Sequence, residues 1–239
     1  MQLASLAFRQ RLLARIHRKH QTTTQQLQFG TVAFSFTRIL EPDRVLDEII
    51  AEEDLREKQT GVRLADPPHL PYWAELWESS RAVAAVVSRM DLHTGISVLD
   101  LGCGMGLAGT AAAARGASVL LADLEAPALL FARLNTLPFA DRARARRLNW
   151  QKDQLGEKFD LILGADILYE KAQWAFLDPF WRAHLAEGGT VILGEPGRQS
   201  GDAFLTWIGE RGWKLIQREE PIAGRPRPIR IFELRQGQL

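Results

Sequence analysis

The feature that most constrains the fold is the stretch VLDLGCGMGLAG, residues 98–109, in which an apolar segment leads through a glycine-rich turn into a run of small residues. Glycine permits a tight turn and lets the backbone approach a ligand closely. Such a strand–turn–helix unit is typical of sheets whose strands alternate with helices, where ligands bind beyond the carboxyl ends of the strands. The stretch therefore predicts an α/β fold with a ligand site at this turn.

The remainder of the chain repeats the order of strand and helix. A helix capped by Ser79 or Ser80 precedes the first strand, and Gly95 ends it. Because strands and helices alternate, we predict a doubly wound, mainly parallel seven-stranded sheet with helices on both faces. The last two strands are joined by a Gly/Pro-rich loop without a helix, which predicts a C-terminal antiparallel hairpin. The predicted strands are 96–101, 117–122, 144–148, 159–164, 190–193, 213–218 and 229–234, and the helices after the first strand are 107–115, 126–134, 173–185 and 203–211.

The first 70 residues differ from this pattern, and we divide the chain into an extension, 1–70, and a second domain, 71–239. In the extension we predict a helix at 3–19, a strand or hairpin through Gly30 at 28–39, an acidic helix at 42–58 and a proline-containing loop at 61–71. Residues 1–40 contain six Lys/Arg and no acidic residue, whereas residues 41–57 contain eight acidic residues and two Arg.

Composition excludes several classes of protein. The net charge of +1 gives no overall field toward nucleic acid or membrane, and no apolar run approaches the roughly 18 residues of a membrane span. With Cys103 as the single cysteine and five scattered histidines, we expect neither an intramolecular disulfide nor a metal site. A reducing, cytoplasmic location follows. The Arg-rich N-terminus with Thr22, Thr23 and Thr24 leaves a mitochondrial targeting segment as a second possibility.

Two cofactors fit the glycine turn. GMGLAG, 104–109, matches the G-x-G-x-x-G pattern of dinucleotide-binding proteins. However, Asp100 lies just before the turn, where a carboxylate would repel the phosphates of NAD. S-adenosylmethionine (AdoMet) has no phosphate and carries an ammonium and a sulfonium, so Asp100 can help to hold its methionine end. We therefore predict AdoMet, with a loop that contributes Asp100, Gly102, Cys103, Gly104 and Gly106.

Asp123 ends the next predicted strand, 21 residues after Gly102. A carboxylate at this position can bind both hydroxyls of a ribose. This feature fits either cofactor, and the alternative is that Asp123 caps the helix that begins at Ala126.

Four stretches resemble the class I, seven-strand lysine methyltransferases: VLDLGCGMGLAG, LLAD at 120–123, LNW at 148–150 and LILGADILYE at 161–170, which contains the D-x-x-Y motif of that group. PYWAELWESS, 71–80, and GEPGR, 194–198, resemble more narrowly the electron-transfer-flavoprotein β-subunit lysine methyltransferases and their bacterial relatives. The resemblance covers about residues 70–200. It implies a Rossmann-like class I fold and AdoMet-dependent methylation of a lysine in a protein substrate.

The resemblance also assigns residues on the cofactor side. It implies that Trp77 lies beside AdoMet, that Asn149 and Trp150 lie near the adenine, and that Ala165 lies beneath the cofactor. The family often has Asp where Asn149 stands, although an Asn oxygen can still accept a hydrogen bond from the adenine amino group.

On the substrate side, the resemblance points to Asp166 and Tyr169 of the D-x-x-Y motif as catalytic residues. A lysine, whose ordinary pKa is about 10.4, must lose a proton before it can attack. Asp166 can orient the amine or help to remove its proton through water, and the ring of Tyr169 can wall the amine channel. The alternative is that Asp166 caps the following turn and Tyr169 only packs.

Further candidates surround these residues. Trp73 and Trp77 would share a face if their segment were helical; Tyr72 and Glu75 belong to the same segment. Arg198 either faces an acidic substrate patch or lies on a surface turn.

Other functions remain open at this stage. The alternatives are methylation of a small-molecule amine, methylation of a nucleobase, for which the N-P-P-[YF] motif is lacking, an NAD-dependent oxidoreductase, disfavoured by Asp100, and a non-catalytic AdoMet-binding module.

Overall fold

The computed structural model describes residues 2–61 and 70–237. The chain begins with helix α1 (Gln2–Ile16), strands β1 (Thr22–Phe29) and β2 (Val32–Ile39), and helix α2 (Pro42–Thr60). Short 3-10 turns lie at Tyr72–Ala74 and Leu137–Phe139. The remaining elements are α3 (Glu78–Ser88), β3 (Ser97–Leu101), α4 (Leu107–Ala114), β4 (Ser118–Asp123), α5 (Ala126–Asn135), β5 (Ala143–Arg147), β6 (Phe159–Ala165), α6 (Lys171–His184), β7 (Leu185–Glu195), α7 (Gln199–Gly209), β8 (Trp213–Glu220) and β9 (Ile229–Gln236).

Strands β3 to β9 form one seven-stranded sheet in the order β5-β4-β3-β6-β7-β9-β8. The first five strands of this order are parallel, and β9 runs antiparallel to both β7 and β8. The predicted doubly wound sheet with its C-terminal hairpin is therefore confirmed. Chain order reverses between β3 and β6, and a crevice forms at such a reversal beyond the carboxyl ends of the strands.

Helices cover both faces of the sheet because successive residues of a strand point to opposite sides. Leu99 of β3 belongs to the core beneath α6 and α7, which includes Trp181 and Phe204. Its neighbour Val98 belongs to the opposite core, beneath α3 and α4. Helix α4, LAGTAAAA, is almost entirely buried, because its small side chains let it lie close to the strands.

The N-terminal extension packs on this domain rather than standing apart from it. Phe36 of β2 is fully buried in a third cluster that also contains Leu107 of α4 and Phe131 of α5. Asn135 makes the polar part of this contact: its Oδ1 accepts from the N–H of Thr37 at 2.8 Å, and its Nδ2 donates to the carbonyls of Thr37 at 3.0 Å and Met105 at 2.9 Å. The extension and the sheet share a core, so their packing does not mark a boundary between two domains. The division at residue 70 therefore stays a prediction.

The hairpin of the extension is longer than predicted. Gly30 turns it with a φ of +57°, as the sequence suggests, but β1 begins at Thr22 and pairs with β2 from Thr22–Ile39 to Phe29–Val32. Most side chains of β1 are polar and only Leu27 is buried, so no alternation of apolar residues marked the strand. The threonines considered as part of a targeting segment thus belong to a strand.

Further boundaries differ from the prediction: α1 ends at Ile16 instead of residue 19, α7 begins at Gln199 instead of residue 203, and the starts of α3 and β7 also differ. Ser79 and Ser80 lie inside α3, whose N-cap is Trp77, and the Ser80 hydroxyl donates back to the Trp77 carbonyl at 2.6 Å. Strand β7 begins at Leu185, before the predicted turn at Gly188 and Gly189, because residues 186–189 bulge from the ladder with β6. Residues 62–69, most of the predicted loop, lie outside the described residues.

In the described part of the chain, no helix combines the length and the apolarity required to cross a membrane.

We predict that Asn135→Ala destabilises the protein through the junction between extension and sheet. Three buried backbone groups would lose their partner, and each unsatisfied group costs roughly 1–3 kcal/mol, so the free energy of unfolding should fall by about 3 kcal/mol. Urea unfolding measures this change. The control is Gln26→Ala, which removes an exposed hydrogen bond to Ser35 of the same hairpin and should change stability by less than about 0.5 kcal/mol. Equal effects of the two variants would contradict the prediction.

Candidate active site

A cavity of about 1010 Å³ opens at the carboxyl ends of β3, β4 and β6, beneath the segment 72–77. This is the edge at which the chain order of the sheet reverses. The predicted site residues meet here, although they come from widely separated parts of the sequence. Those that line the cavity are Trp77, Asp100, Gly102, Cys103, Gly104, Asp123, Asn149, Trp150, Ala165, Asp166 and Tyr169.

The glycine loop forms the floor of the cavity. Gly102 has a φ of +66° and Gly104 a φ of +52°, in the left-handed region that strongly favours glycine. A Cβ atom on Gly102 would lie 2.9 Å from Cγ2 of Ile167 and 3.5 Å from the ring of Trp150. The loop can therefore bring bare backbone to a ligand only because these positions lack side chains.

Gly106, the remaining predicted member of this loop, does not line the cavity. It is the N-cap of α4 with a φ of +85°, and a Cβ atom there would lie 2.8 Å from the side chain of Leu121. We therefore correct its role: Gly106 lets α4 pack against β4. The sequence pattern could not separate a glycine that approaches a ligand from one that approaches a strand.

Asp123, at the end of the neighbouring strand β4, holds the glycine loop by a hydrogen bond. Its Oδ2 accepts from the N–H of Gly104 at 2.7 Å, and its Oδ1 accepts from the N–H of Glu125 at 2.9 Å. Burial raises the pKa of this carboxyl, while the two backbone donors oppose the shift. Each oxygen keeps a further lone pair, so Asp123 can hold the turn before α5 and accept hydrogen bonds from a ligand as well.

Asp100 lies deeper than Asp123. Its Oδ2 accepts from the N–H of Gly109 in the first turn of α4 at 2.7 Å. Burial raises the pKa of Asp100 to about 7, and the nearby charge of Asp123 adds to this effect. The described contact thus ties the end of β3 to α4; an interaction with the amine of a ligand stays a prediction.

Asn149 and Trp150 follow β5 in a turn held by side chains. The N–H of Asn149 donates to Asp153 Oδ2 at 2.8 Å, and its own Oδ1 accepts from the N–H of Gln151 at 2.9 Å. The Trp150 indole N–H donates to Gln173 Oε1 at 3.0 Å. Gln173 also lines the cavity. The sequence analysis did not identify it as a site residue, because Gln173 belongs to no motif and lies at the start of a predicted helix.

Asp166 stands at the end of β6 in a strained conformation. Among the described residues it is the one non-glycine residue with a positive φ, at +58°. Such strain costs about 1–3 kcal/mol and clusters at functional sites. The backbone N–H of Asp166 donates to the Gly194 carbonyl at 2.9 Å, and the buried carboxylate pairs through Oδ2 with Nη2 of Arg198 at 3.0 Å.

Burial is the main cause that raises the pKa of Asp166, to about 6. Arg198 and Arg225 lower this pKa, and Glu195 raises it. Asp166 is consequently mostly ionised at neutral pH. Within the described residues its side chain caps no backbone N–H, in contrast to the alternative that the sequence left open.

Aromatic rings wall the cavity next to Asp166. The rings of Tyr72 and Tyr169 meet edge to face with centroids 5.2 Å apart, and the Trp77 indole N–H donates to the Tyr72 carbonyl at 2.8 Å. Burial raises the pKa of Tyr169 to about 12, so its phenol stays neutral. The three rings form a wall against which the alkyl part and the charge of an amine can rest.

The condition for a common helix face of Trp73 and Trp77 is not met. The segment is a 3-10 turn at Tyr72–Ala74 followed by extended backbone, so a spacing of four residues does not place the two rings on one helix face. Trp73 packs on His20 of the extension, with centroids 5.5 Å apart, and on Phe131 at 6.1 Å. His20, which the sequence did not single out, thus connects the extension to the wall of the cavity.

The lining of the cavity is strongly acidic. Its carboxyl groups face a single basic side chain, Lys152, among the described lining residues. Clefts lined by one sign of charge concentrate ligands of the opposite sign, so this one favours a cation. The carboxyl groups belong to Glu75, Asp100, Asp123, Glu125, Asp166 and Glu170. The described residues contain no group of three or more His, Cys, Asp or Glu side chains that could hold a metal ion.

Comparisons with known proteins agree with this geometry. A family model described as lysine methyltransferase matches residues 72–208, more than half of the chain. Electron transfer flavoprotein beta subunit lysine methyltransferase of Danio rerio is 31% identical over 135 residues, which cover 54% of this chain and 51% of that protein. Protein N-lysine methyltransferase METTL21A of Danio rerio is 34% identical over 131 residues, which cover 50% of this chain and 58% of that protein. The chain thus spans about half the length of the curated relatives that it matches.

The fold also matches solved structures. Glycopeptide N-methyltransferase MtfA in complex with (S)-adenosyl-L-methionine superposes with a TM-score of 0.57 at 14% identity, over 66% of this chain and 87% of that one. At this identity the likeness establishes the fold alone.

We predict that Asp100 makes the folded protein less stable as the pH rises. Its pKa is about 7 in the folded protein and about 3.9 in an unfolded chain. Between these values the folded state holds a proton that the unfolded state has released, so the stabilisation is complete at low pH and is lost toward pH 7. Asp123 and Asp166 act in the same direction.

Asp100→Asn cannot ionise and should remove part of this dependence. Urea unfolding at pH 5 and pH 8 should give a difference in unfolding free energy that is smaller than that of the wild type by roughly 2–3 kcal/mol. Asp141→Asn, at an exposed position beside Arg142, is the control. The hydrogen bond from Arg142 lowers the pKa of Asp141, so this carboxyl is ionised at both pH values and its loss should leave the wild-type difference unchanged. An unaltered pH dependence in Asp100→Asn would show that Asp100 titrates normally in the fold.

Proposed function

The chain belongs to the lysine methyltransferase family, and from this premise we propose that it is an AdoMet-dependent N-methyltransferase that methylates a lysine side chain in a protein substrate. One observation carries the proposal furthest: Asp166, in a strained backbone conformation, shares a single acidic cavity with the bare glycine loop. A cofactor-binding loop and a carboxylate suited to an amine thereby face the same space.

The cavity fits AdoMet as cofactor. Gly102 and Gly104 provide a floor that a side chain would fill, and Asp123 offers acceptors at the end of β4, where ribose hydroxyls bind in folds of this class. The acidic lining complements the ammonium and sulfonium of AdoMet. Asn149 and Trp150 would border the adenine, Trp77 and Ala165 would flank the methionine side, and Cys103 would contribute its backbone.

Residues on the other side would prepare the amine. When bound, AdoMet supplies a sulfonium methyl group that a neutral amine takes up as the S–C bond breaks. Asp166, ionised at neutral pH, would accept an N–H of the amine and direct the nitrogen lone pair toward the methyl group; the proton leaves through water. Tyr169 and Tyr72 would hold the lysine side chain against the wall that their rings form together.

Two features favour a lysine of a protein over a small-molecule amine. The relatives are named as protein lysine methyltransferases, and Tyr72 and Glu75 at the rim are exposed, so a surface lysine of another protein could reach the cavity. A small amine is the second candidate, favoured by the aromatic wall alone. A non-catalytic module would have no need of the strain at Asp166.

We also propose a cytoplasmic location. Cys103 lines the cavity, and burial raises the pKa of its thiol. The protein therefore has no cysteine placed for a disulfide, in keeping with a reducing compartment.

Transfer of a labelled methyl group tests the proposed function. The purified protein, labelled AdoMet and a cell extract are incubated, and the products are separated by size. Label in a protein band, located on lysine by mass spectrometry, supports the proposal. Label only in the small-molecule fraction favours the second candidate. AdoMet binding without any label would refute methyl transfer, and Asp166→Asn serves as the catalytically impaired control.

For the cofactor, we predict that Gly102→Ala weakens AdoMet binding at least about tenfold, since the new methyl group would lie against Ile167 and alter the floor of the cavity. Gly188→Ala is a matched control, because Gly188 has a similar φ of +72° but nothing within 4 Å of a Cβ atom. Both variants carry the same kind of backbone strain, so calorimetric titration with AdoMet isolates the effect of the cavity. Similar affinities would remove the glycine loop from the binding site.

For the chemistry, we predict that Asp166→Asn lowers turnover by about 100-fold or more, the usual contribution of a positioned acid or base. Binding of AdoMet should change less than about twofold, because Asp166 would face the amine. Steady-state kinetics and calorimetry measure the two effects. A variant with wild-type turnover would exclude a catalytic role for Asp166.

A further inference from the structure

We propose that Arg198 is a positioning residue for methyl transfer: it holds Oδ2 of Asp166 and leaves Oδ1 for the substrate amine. The inference rests on the proposed function, which makes Asp166 the carboxylate that receives the amine. Nη2 of Arg198 lies 3.0 Å from Oδ2. Among the described residues no hydrogen bond engages Oδ1, although the residue lines the cavity.

Arg198 is itself held in place by its backbone. Glu195, buried at the end of β7, accepts from the N–H of Arg198 at 2.6 Å and from the N–H of Gly197 at 2.8 Å. Arg230 donates to the Arg198 carbonyl at 3.0 Å and pairs with Glu195. The backbone of Arg198 is therefore fixed at the N-cap of α7, and this limits the positions that its guanidinium can reach.

The side chain of Arg198 also contacts the aromatic wall of the cavity. Its guanidinium lies 5.6 Å from the centre of the Trp77 ring, and Trp77 belongs to the wall next to Asp166. A cation that contacts a carboxylate and an aromatic ring at once is constrained in two directions. Arg198 can thus fix the carboxylate of Asp166 relative to the wall along which the substrate enters.

The charge of Arg198 has a second effect on the same carboxylate. Burial favours the protonated form of Asp166, which is a weaker acceptor for an N–H of the amine, and a neighbouring guanidinium favours the ionised form. Glu195, Arg225 and Tyr169 also interact electrostatically with Asp166, but among the described residues Arg198 is the charged group that donates a hydrogen bond to it. Arg198 would therefore keep Asp166 ionised at neutral pH.

The matched control is Arg211. Its side chain has nearly the same exposed fraction, 36% against 39%. It also contacts a tryptophan, with its guanidinium 3.7 Å from the centre of the Trp207 ring, and a carboxylate, with Nε 3.8 Å from Asp178 Oδ2. Trp207 and Asp178 do not line the cavity, whereas Trp77 and Asp166 do, so Arg211→Gln reproduces the loss of an arginine at a tryptophan without touching the site.

The experiment compares Arg198→Gln, Arg198→Lys and Arg211→Gln in the full chain. Carbon NMR of aspartate-labelled protein, with the Asp166 signal assigned through Asp166→Asn, follows the titration of that carboxyl directly. We expect Arg198→Gln to raise the pKa of Asp166 by about one unit, at the lower end of the effect of an adjacent arginine. In Arg198→Lys, which keeps a positive charge, the pKa of Asp166 should stay close to its wild-type value. Arg211→Gln should leave this pKa unchanged.

Kinetics provide the second measurement. In Arg198→Gln the acidic limb of the kcat/KM profile should move to higher pH with the carboxyl, and turnover at neutral pH should fall about tenfold, with AdoMet affinity within about twofold of wild type. An unchanged Asp166 titration, or a turnover that rises because Arg198 occupied the place of the substrate, would overturn the proposal. The titration of Asp166 needs no substrate. If the proposed function were wrong, Arg198→Gln would still raise the pKa of Asp166, but the protein would transfer no methyl group.

Discussion

The hydrogen bond from the N–H of Gly104 to the carboxylate of Asp123 is the contact on which the site depends. It joins the loop after β3 to the end of β4, two strands that are parallel neighbours and therefore end at the same edge of the sheet. The loop can turn back toward this carboxylate because Gly102 and Gly104 adopt positive φ. Together with the N–H of Cys103, which donates to the Ala122 carbonyl at 3.0 Å, this contact fixes the floor of the cavity to β4.

The cavity concentrates buried carboxyl groups that would be costly in an ordinary core. Burial of an ionised carboxylate is unfavourable unless hydrogen bonds or counter-charges compensate for it. Asp123 has two backbone donors, Asp100 has one, and Asp166 has an arginine. Their pKa values are nevertheless raised, so the contacts within the described residues offset only part of the cost of burial.

The N-terminal extension contacts residues that lie next to the glycine loop and the wall of the cavity. Asn135 ties the hairpin to the Met105 carbonyl next to the glycine loop, and His20 packs on Trp73. Loss of the extension would therefore disturb the floor and the wall of the cavity together. For this reason a protein with the same domain but another N-terminal segment would need other contacts at Phe131 and Asn135.

The sequence predicted the sheet well because the information was local. Each apolar run followed by glycine or aspartate marked a strand that ends at the ligand edge, and the absence of a helix before 229–234 marked the antiparallel hairpin. It was less informative where a residue's role depends on what packs against it. Gly106 matched the motif but faces β4, β1 lacked an apolar alternation, and the spacing of Trp73 and Trp77 held no information on a 3-10 turn.

The order of residues is enough to identify the strand–turn–helix unit of the glycine loop and the carboxylates at the ends of β3, β4 and β6. It also predicts that these carboxylates converge at one edge, since parallel strands of one sheet end together. Which of these groups are paired is seen only in the folded chain. Arg198 and Asp166 are 32 residues apart and meet because β6 and β7 are neighbours, and the strain at Asp166 is visible only in the folded backbone. Periodicity records which side of an element is buried, whereas side-chain pairing across elements depends on register and distance, which no local pattern encodes.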